Sequence, residues 1–136
     1  MNIAIVGATG NVGRKTLEVF DKKNFKFDNL YLVASEKSAG KKISFRDKEY
    51  VVENLETYDF SKADITFFAA GGKIAEKFAE KAAKHTIVID NSSFFRMDPD
   101  VPLIVPQVNA AEIKNMKKNI IANPNCSTAQ LVIALK

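Results

Sequence analysis

Asn2-Ile-Ala-Ile-Val-Gly-Ala-Thr-Gly-Asn-Val-Gly13 is the stretch on which the fold turns. Asn2–Val6 is a short apolar run of the buried-strand type, and glycines at positions 7, 10 and 13 follow it at once. Beyond them, Asn11–Lys22 carries apolar residues at helical spacing, with Val12, Leu17, Val19 and Phe20 as the expected inward positions. A strand, a glycine turn and an amphipathic helix read as the opening of a dinucleotide-binding βαβ unit, with a structural turn that holds no ligand as the plain alternative. The spacing is GxxGxxG rather than GxGxxG, but the physics is shared. Glycine permits the tight turn, lets backbone N–H groups approach a pyrophosphate at the positive end of the helix, and allows close helix–sheet packing.

Alternation continues outward from this unit. Strands are expected at Leu30–Ala34, Asp64–Ala69, Thr86–Ile89 and Asn119–Ala122, and helices at Lys73–Lys84, Ala110–Met116 and Ser127–Leu135. Lys42–Phe45 and Glu49–Val52, flanking Arg46-Asp-Lys48, read as a hairpin, and Val101–Pro106 as a short extended segment. Strand–helix–strand repetition implies an α/β fold, a Rossmann-like, doubly wound and mainly parallel sheet with helices on both faces.

Composition narrows the function. At 136 residues, 46% hydrophobic and 26% charged, the chain suits one globular domain with a real core. The net charge of +4 comes from scattered lysines without interleaved aromatics, which argues against nucleic acid and fits an anionic small ligand. No apolar run approaches the ~18 residues of a membrane span. The N-terminus opens directly into a strand without a basic, apolar leader. One cysteine, Cys126, excludes an internal disulfide and points to a reducing, cytoplasmic setting. The sole histidine, His85, has no partners at metal-ligand spacing, so no metal site is expected.

Four further segments carry chemistry. Ser35-Glu-Lys-Ser-Ala-Gly-Lys41 follows the second strand, where the adenosine ribose is read. Lys37, Ser38 and Lys41 suit a 2′-phosphate, hence NADP, whereas Glu36 suits a free 2′-hydroxyl; a solvated charged turn is the plain alternative. Ala69-Ala-Gly-Gly72 repeats the small-residue turn, either to admit a dinucleotide or as a simple strand-to-helix connection. Asp90-Asn-Ser-Ser-Phe-Phe-Arg96 ends on an arginine able to grip phosphate or carboxylate through two parallel hydrogen bonds, or to sit on the surface. Asn123-Pro-Asn-Cys-Ser-Thr128 sets Cys126 on the first turn of a helix, whose positive end favours thiolate.

Together these pieces resemble a family. GATGNVG (Gly7–Gly13), SAGK (Ser38–Lys41), AGG (Ala70–Gly72), VIDNSSFFR (Val88–Arg96), DPDVPLIVPQVN (Asp98–Asn109) and NPNCST (Asn123–Thr128) run in the order of the N-terminal part of aspartate-β-semialdehyde dehydrogenase. N-acetyl-γ-glutamyl-phosphate reductase shares the layout but is less similar around Asn91–Arg96 and Cys126. A stand-alone NAD(P)-binding module is a third alternative.

The resemblance implies NADP-dependent reduction of aspartyl-4-phosphate through a cysteine thioester, in lysine and diaminopimelate, methionine and threonine biosynthesis. It implies Cys126 as nucleophile, Asn125 placing the substrate and Arg96 binding phosphate. Gly7, Thr9, Gly10, Asn11, Val12 and Gly13 would hold the pyrophosphate. Lys37 and Ser38 would hold the 2′-phosphate, and Ala70 and Gly71 would line the cofactor. It also implies a homodimer. Residues 1–122 would be the NAD(P)-binding domain, and residues 123–136 the nucleophile turn and the start of the helix leading to a catalytic and dimerisation domain. Members of the family draw a glutamine, an arginine and an acid–base histidine from that domain. The chain is therefore expected to be an incomplete version of the fold, inactive alone, with part of one sheet face left apolar and uncovered.

Overall fold

The computed structural model describes all residues, Met1–Lys136. In chain order the elements are β1 (Asn2–Val6), α1 (Asn11–Lys22), β2 (Asn29–Ala34), β3 (Lys42–Phe45), β4 (Lys48–Val51), β5 (Glu53–Asn54), β6 (Ile65–Phe68), α2 (Gly72–Ala82), β7 (Ile87–Asp90), α3 (Pro106–Asn109), β8 (Ile120–Ala122) and α4 (Cys126–Leu135). Single 3₁₀ turns lie at Glu36–Ser38 and Phe60–Lys62, and Ala110–Asn115 is 3₁₀ rather than α-helical. Val101–Pro106 forms no strand; its one β-bridge to the sheet is Leu103–Ala122, and Val101 packs in the core beside Val88 and Ile120.

Six strands form one sheet in the order β5-β2-β1-β6-β7-β8, and every pairing within it is parallel. The chain moves outward from β1 first through β2 and then through β6, so strand order reverses beside β1. Ligands of open α/β sheets bind outside the carboxyl ends of the strands at such a reversal. Near-continuous apolar strands such as Ile3–Val6 are what a sheet covered on both faces requires.

Two cores flank the sheet. One joins α2, through Ala75, Phe78, Ala79 and Ala82, to Val6, Phe68, Val88 and Ile120. The other joins α1, through Leu17 and Phe20, to Ile3, Ile5, Leu32 and Phe45. The buried stripe of α1 is Gly13, Leu17 and Phe20. Val12 and Val19, expected inward, are 49% and 47% exposed. The reason lies in the sheet: α1 packs through Leu17 and Phe20 on β1 and β2, and reaches β6 only where Phe20 meets the edge of Phe67. Phe67, Ile89 and Ile121 stand side by side in register on this face, only half-buried. Val12 and Val19 flank the resulting apolar groove together with Phe67 and Ile89.

The β3–β4 hairpin turns on two residues only, Arg46 and Asp47, with φ of 48° and 61°. Left-handed conformation at two non-glycine residues is costly. Arg46 offsets this by donating to the Phe20 and Phe25 carbonyls at the end of α1 and pairing with Asp21. No helix is long and apolar enough to cross a membrane.

Candidate active site

Parallel strands bring their carboxyl ends to one edge, so the loops after β1, β2, β6, β7 and β8 converge there. These are the segments that carry the sequence motifs.

The loop after β1 is built on backbone geometry. Gly7 has φ of 86°, and a Cβ there would meet the Ala69 carbonyl oxygen at 2.7 Å. A Cβ on Gly13 would stand 2.4 Å from the Gly7 oxygen and 2.7 Å from Ala8 Cα. Gly7 and Ala8 donate to the Val33 carbonyl, and Gly10 donates back to Gly7. The N–H groups of Asn11, Val12 and Gly13 find no acceptor, and neither does that of Thr9. A helix terminus with free donors, approached by glycine backbone without side chains in the way, fits a pyrophosphate.

The cleft beside this loop has a volume of about 420 Å³ and is lined by Gly7, Thr9, Gly10, Ser35, Ala69 and Ala70, among others. Leu55 and Ile74 add apolar walls. Leu55 was not expected from the sequence, because it follows the two-residue strand β5, too short to leave a periodic signal. Ser38 is joined to the glycine loop by Thr9 Oγ1 at 3.5 Å, and Lys41 Nζ lies 3.5 Å from the same hydroxyl. Lys37 and Glu36 are exposed on the 3₁₀ turn that follows Ser35; they and Ser38 are outside the cleft lining, and neither Lys37 nor Glu36 joins an ion pair. Gly71, with φ of 84°, caps α2. Asn11, Val12, Gly13 and Gly71 are outside the cleft lining. The Val12 side chain faces the apolar groove instead, so only its backbone N–H is available to an anion.

At the end of β7, Asp90 is fully buried and accepts from Ser92 N at 3.0 Å and Ser92 Oγ at 2.6 Å. Asp-x-Ser is an Asx-turn signal legible in the sequence, and it starts the loop that ends at Arg96. Arg96 is half-buried and has no carboxylate partner. Its Nε donates to the Asn123 carbonyl at 3.0 Å and its Nη2 to the Asn91 carbonyl at 3.1 Å. Two of its five N–H groups are thus used within the protein, and Nη1 keeps both of its own. The side of the guanidinium formed by Nε and Nη2 holds the two loops together, leaving its outer end for a ligand.

The same loop is fastened further on. Lys118 Nζ lies 3.0 Å from Asp98 and 3.3 Å from Glu80, and Lys117 pairs with Asp100 at 2.7 Å. The Asp100 N–H, and then the Lys118 ammonium, hold the Asp98 carboxyl below its ordinary range.

After β8, Asn125 is the N-cap of α4. Its Oδ1 accepts from Ser127 N at 2.9 Å and lies 3.9 Å from Cys126 Sγ. Asn125 is thus a helix cap as well as a candidate substrate ligand. Cys126 is exposed at the first position of α4. His85 lies between α2 and β7, at the opposite edge of the sheet, and is exposed.

Residues 2–116 match the family described as semialdehyde dehydrogenase, NAD binding domain. Aspartate-semialdehyde dehydrogenase of Aquifex aeolicus is 55% identical over 98% of this chain and 40% of its own length. The structure of aspartate semialdehyde dehydrogenase II from Vibrio cholerae complexed with ASA is 50% identical, with a TM-score of 0.93, over 99% of this chain and 45% of that one. Aspartate semialdehyde dehydrogenase from Candida albicans, solved with NADP, is 31% identical, with a TM-score of 0.72. The chain spans about 40% of the length of the curated relatives it matches.

Proposed function

This chain belongs to the semialdehyde dehydrogenase family, whose NAD-binding domain it matches, and from that premise we propose that it is the NADP-binding, nucleophile-bearing part of an aspartate-semialdehyde dehydrogenase. The observation that carries this reading is the hydrogen bond from Arg96 to the Asn123 carbonyl. It sets a cation without a carboxylate partner three residues from the only thiol in the chain, at the sheet edge where the glycine loop presents its free N–H groups.

The reaction is reductive dephosphorylation of aspartyl-4-phosphate, on the route to lysine and diaminopimelate, methionine and threonine. The Cys126 thiolate attacks the acyl carbon, the new carbon–sulfur bond replaces the carbon–oxygen bond to phosphate, and phosphate leaves with that electron pair. Arg96 Nη1 takes up the charge on the departing phosphate, and Asn125 orients the acyl group. NADPH, when bound, supplies the hydride that reduces the acyl group to the aldehyde. A thiolate is both a ready nucleophile toward carbonyl carbon and a good leaving group from a thioester, which divides one difficult step into two.

Asn11, Val12 and Gly13 N–H hold the pyrophosphate, and Thr9 and the cleft walls, including Ala70, position the rest of the dinucleotide. Lys37 and Ser38, supported by Lys41, hold the 2′-phosphate. Residues 123–136 lead from this nucleotide domain toward the catalytic and dimerisation domain of a homodimer working in the reducing cytoplasm. The acid–base group is assigned to that domain, since His85, the sole histidine of the chain, lies at the opposite edge of the sheet. The 136 residues alone are accordingly inactive toward the semialdehyde.

Titration calorimetry with NADP and NAD tests the cofactor assignment. NADP is expected to bind more tightly, with Lys37→Ala removing the difference. Equal affinities in the unaltered chain would overturn the 2′-phosphate assignment.

A further inference from the structure

Resting on the reading of Arg96 as the anion-binding cation beside Cys126, we infer that Asn91 and Asn123 act together as positioning residues that hold Arg96 in register with the nucleophile. Each contributes twice. Their main-chain carbonyls accept the two Arg96 hydrogen bonds, and their side chains bridge to each other, Asn123 Nδ2 donating to Asn91 Oδ1 at 2.6 Å. Both are also pinned to the sheet, through Asn91 N to the Phe68 carbonyl at 3.0 Å and Asn123 N to the Asp90 carbonyl at 2.8 Å. The result is a closed ring of Arg96, Asn91 and Asn123 across the ends of β7 and β8. Pro124, buried and stiff, passes that register on to Asn125 and Cys126.

The chemistry explains why both partners are amides. A carboxylate at either position would set a negative charge in the ring that holds the guanidinium and offset the charge that an anionic ligand needs. A neutral amide fixes the same geometry and leaves the charge free.

The test uses Cys126, the only cysteine in the chain, as its own reporter. Rates of alkylation by anionic iodoacetate and neutral iodoacetamide are measured, and their ratio isolates the local positive charge from thiol exposure. Arg96→Ala is expected to lower the iodoacetate-to-iodoacetamide ratio by about two- to fivefold, the effect of one charge acting over several ångströms of partly solvated space. Asn91→Ala and Asn123→Ala are expected to lower it in the same direction. Their double variant should fall no further than either single change, because each removes the same bridge. Asn91→Ala carries the test alone if Asn123→Ala does not fold, since it leaves both carbonyls and Pro124 in place. A ratio that falls in Arg96→Ala but is unchanged in Asn91→Ala overturns the positioning role and leaves the anion site standing. A ratio unchanged in Arg96→Ala overturns both.

Discussion

Arg96 Nε reaches the carbonyl of Asn123 at 3.0 Å, so a residue from the loop after β7 is fastened to the turn that presents Cys126. Together with the bridge from Asn123 Nδ2 to Asn91 Oδ1, that bond ties two loops 27 residues apart in sequence. Lysine at position 96 would keep the charge and lose the fork. Arg96→Lys is therefore expected to lower stability by about 1–3 kcal/mol, as two half-buried carbonyls lose a charged donor. Urea denaturation checks this; an unchanged midpoint would mean that the fork holds nothing together.

Two glycines with different surroundings separate packing from backbone strain. Gly13→Ala drives a methyl group onto the Gly7 carbonyl, 2.4 Å away, where only backbone could yield. It is expected to cost more than about 3 kcal/mol, in the range of severe overpacking, and to abolish nucleotide binding. Gly71→Ala meets nothing within 4 Å but keeps a φ of 84° and a ψ of 169°, so its cost is limited to about 1–3 kcal/mol of backbone strain in a region open essentially to glycine. Comparing the denaturation midpoints of the two variants decides whether this ordering holds.

Tyr58 is buried and its hydroxyl has no hydrogen-bond partner. Tyr58→Phe removes a desolvated, unsatisfied group and is expected to raise stability by up to about 1 kcal/mol. Burial, and then the Glu53 charge, push the phenol well above its ordinary value. An acid whose folded pKa is raised favours folding in its neutral form. Its contribution is intact below the unfolded value, about 10, and is lost as the pH rises beyond it. The wild-type chain should weaken above that pH more steeply than Tyr58→Phe, as followed by melting temperature against pH.

Asp98 has the opposite sign. Its folded carboxyl is held down by the Asp100 N–H and the Lys118 ammonium. Its stabilising effect is present above the unfolded carboxylate value, about 4, and disappears as the pH falls through the lower folded one. Asp98→Asn should flatten the acid limb of the stability profile and also soften the loss at high pH, because the hydrogen bond to Asp98 is the first cause holding the Lys118 ammonium above its ordinary range. Parallel acid limbs would remove Asp98 as a contributor.

Much of this was legible before any coordinates. β1, the glycine loop and α1 fall on the residues expected of them, because an apolar run, three glycines and a helical period change character sharply at Gly7 and again at Asn11. The loops after β6, β7 and β8 were readable as site loops because parallel topology sends them to one edge. What escaped was long-range. Val12 and Val19 belong to the apolar stripe of α1, but which part of that stripe is covered depends on how far it lies from β6, β7 and β8 in the sheet. The hairpin turn at Arg46-Asp47 lacks the glycine or asparagine that usually marks such a turn, since contacts to the end of α1 hold it. The bridge between Asn91 and Asn123 spans 32 positions and leaves no local trace.

On the proposed function, the nucleotide site and the nucleophile share one active-site edge. Protection of Cys126 by NADP tests it most directly, with iodoacetamide labelling followed by mass spectrometry at increasing NADP. The expected result is a saturable slowing of labelling at the concentrations where calorimetry shows NADP to bind, lost in Gly13→Ala. Binding of NADP with no change in the labelling rate, or a folded chain that binds no NADP, would contradict the account.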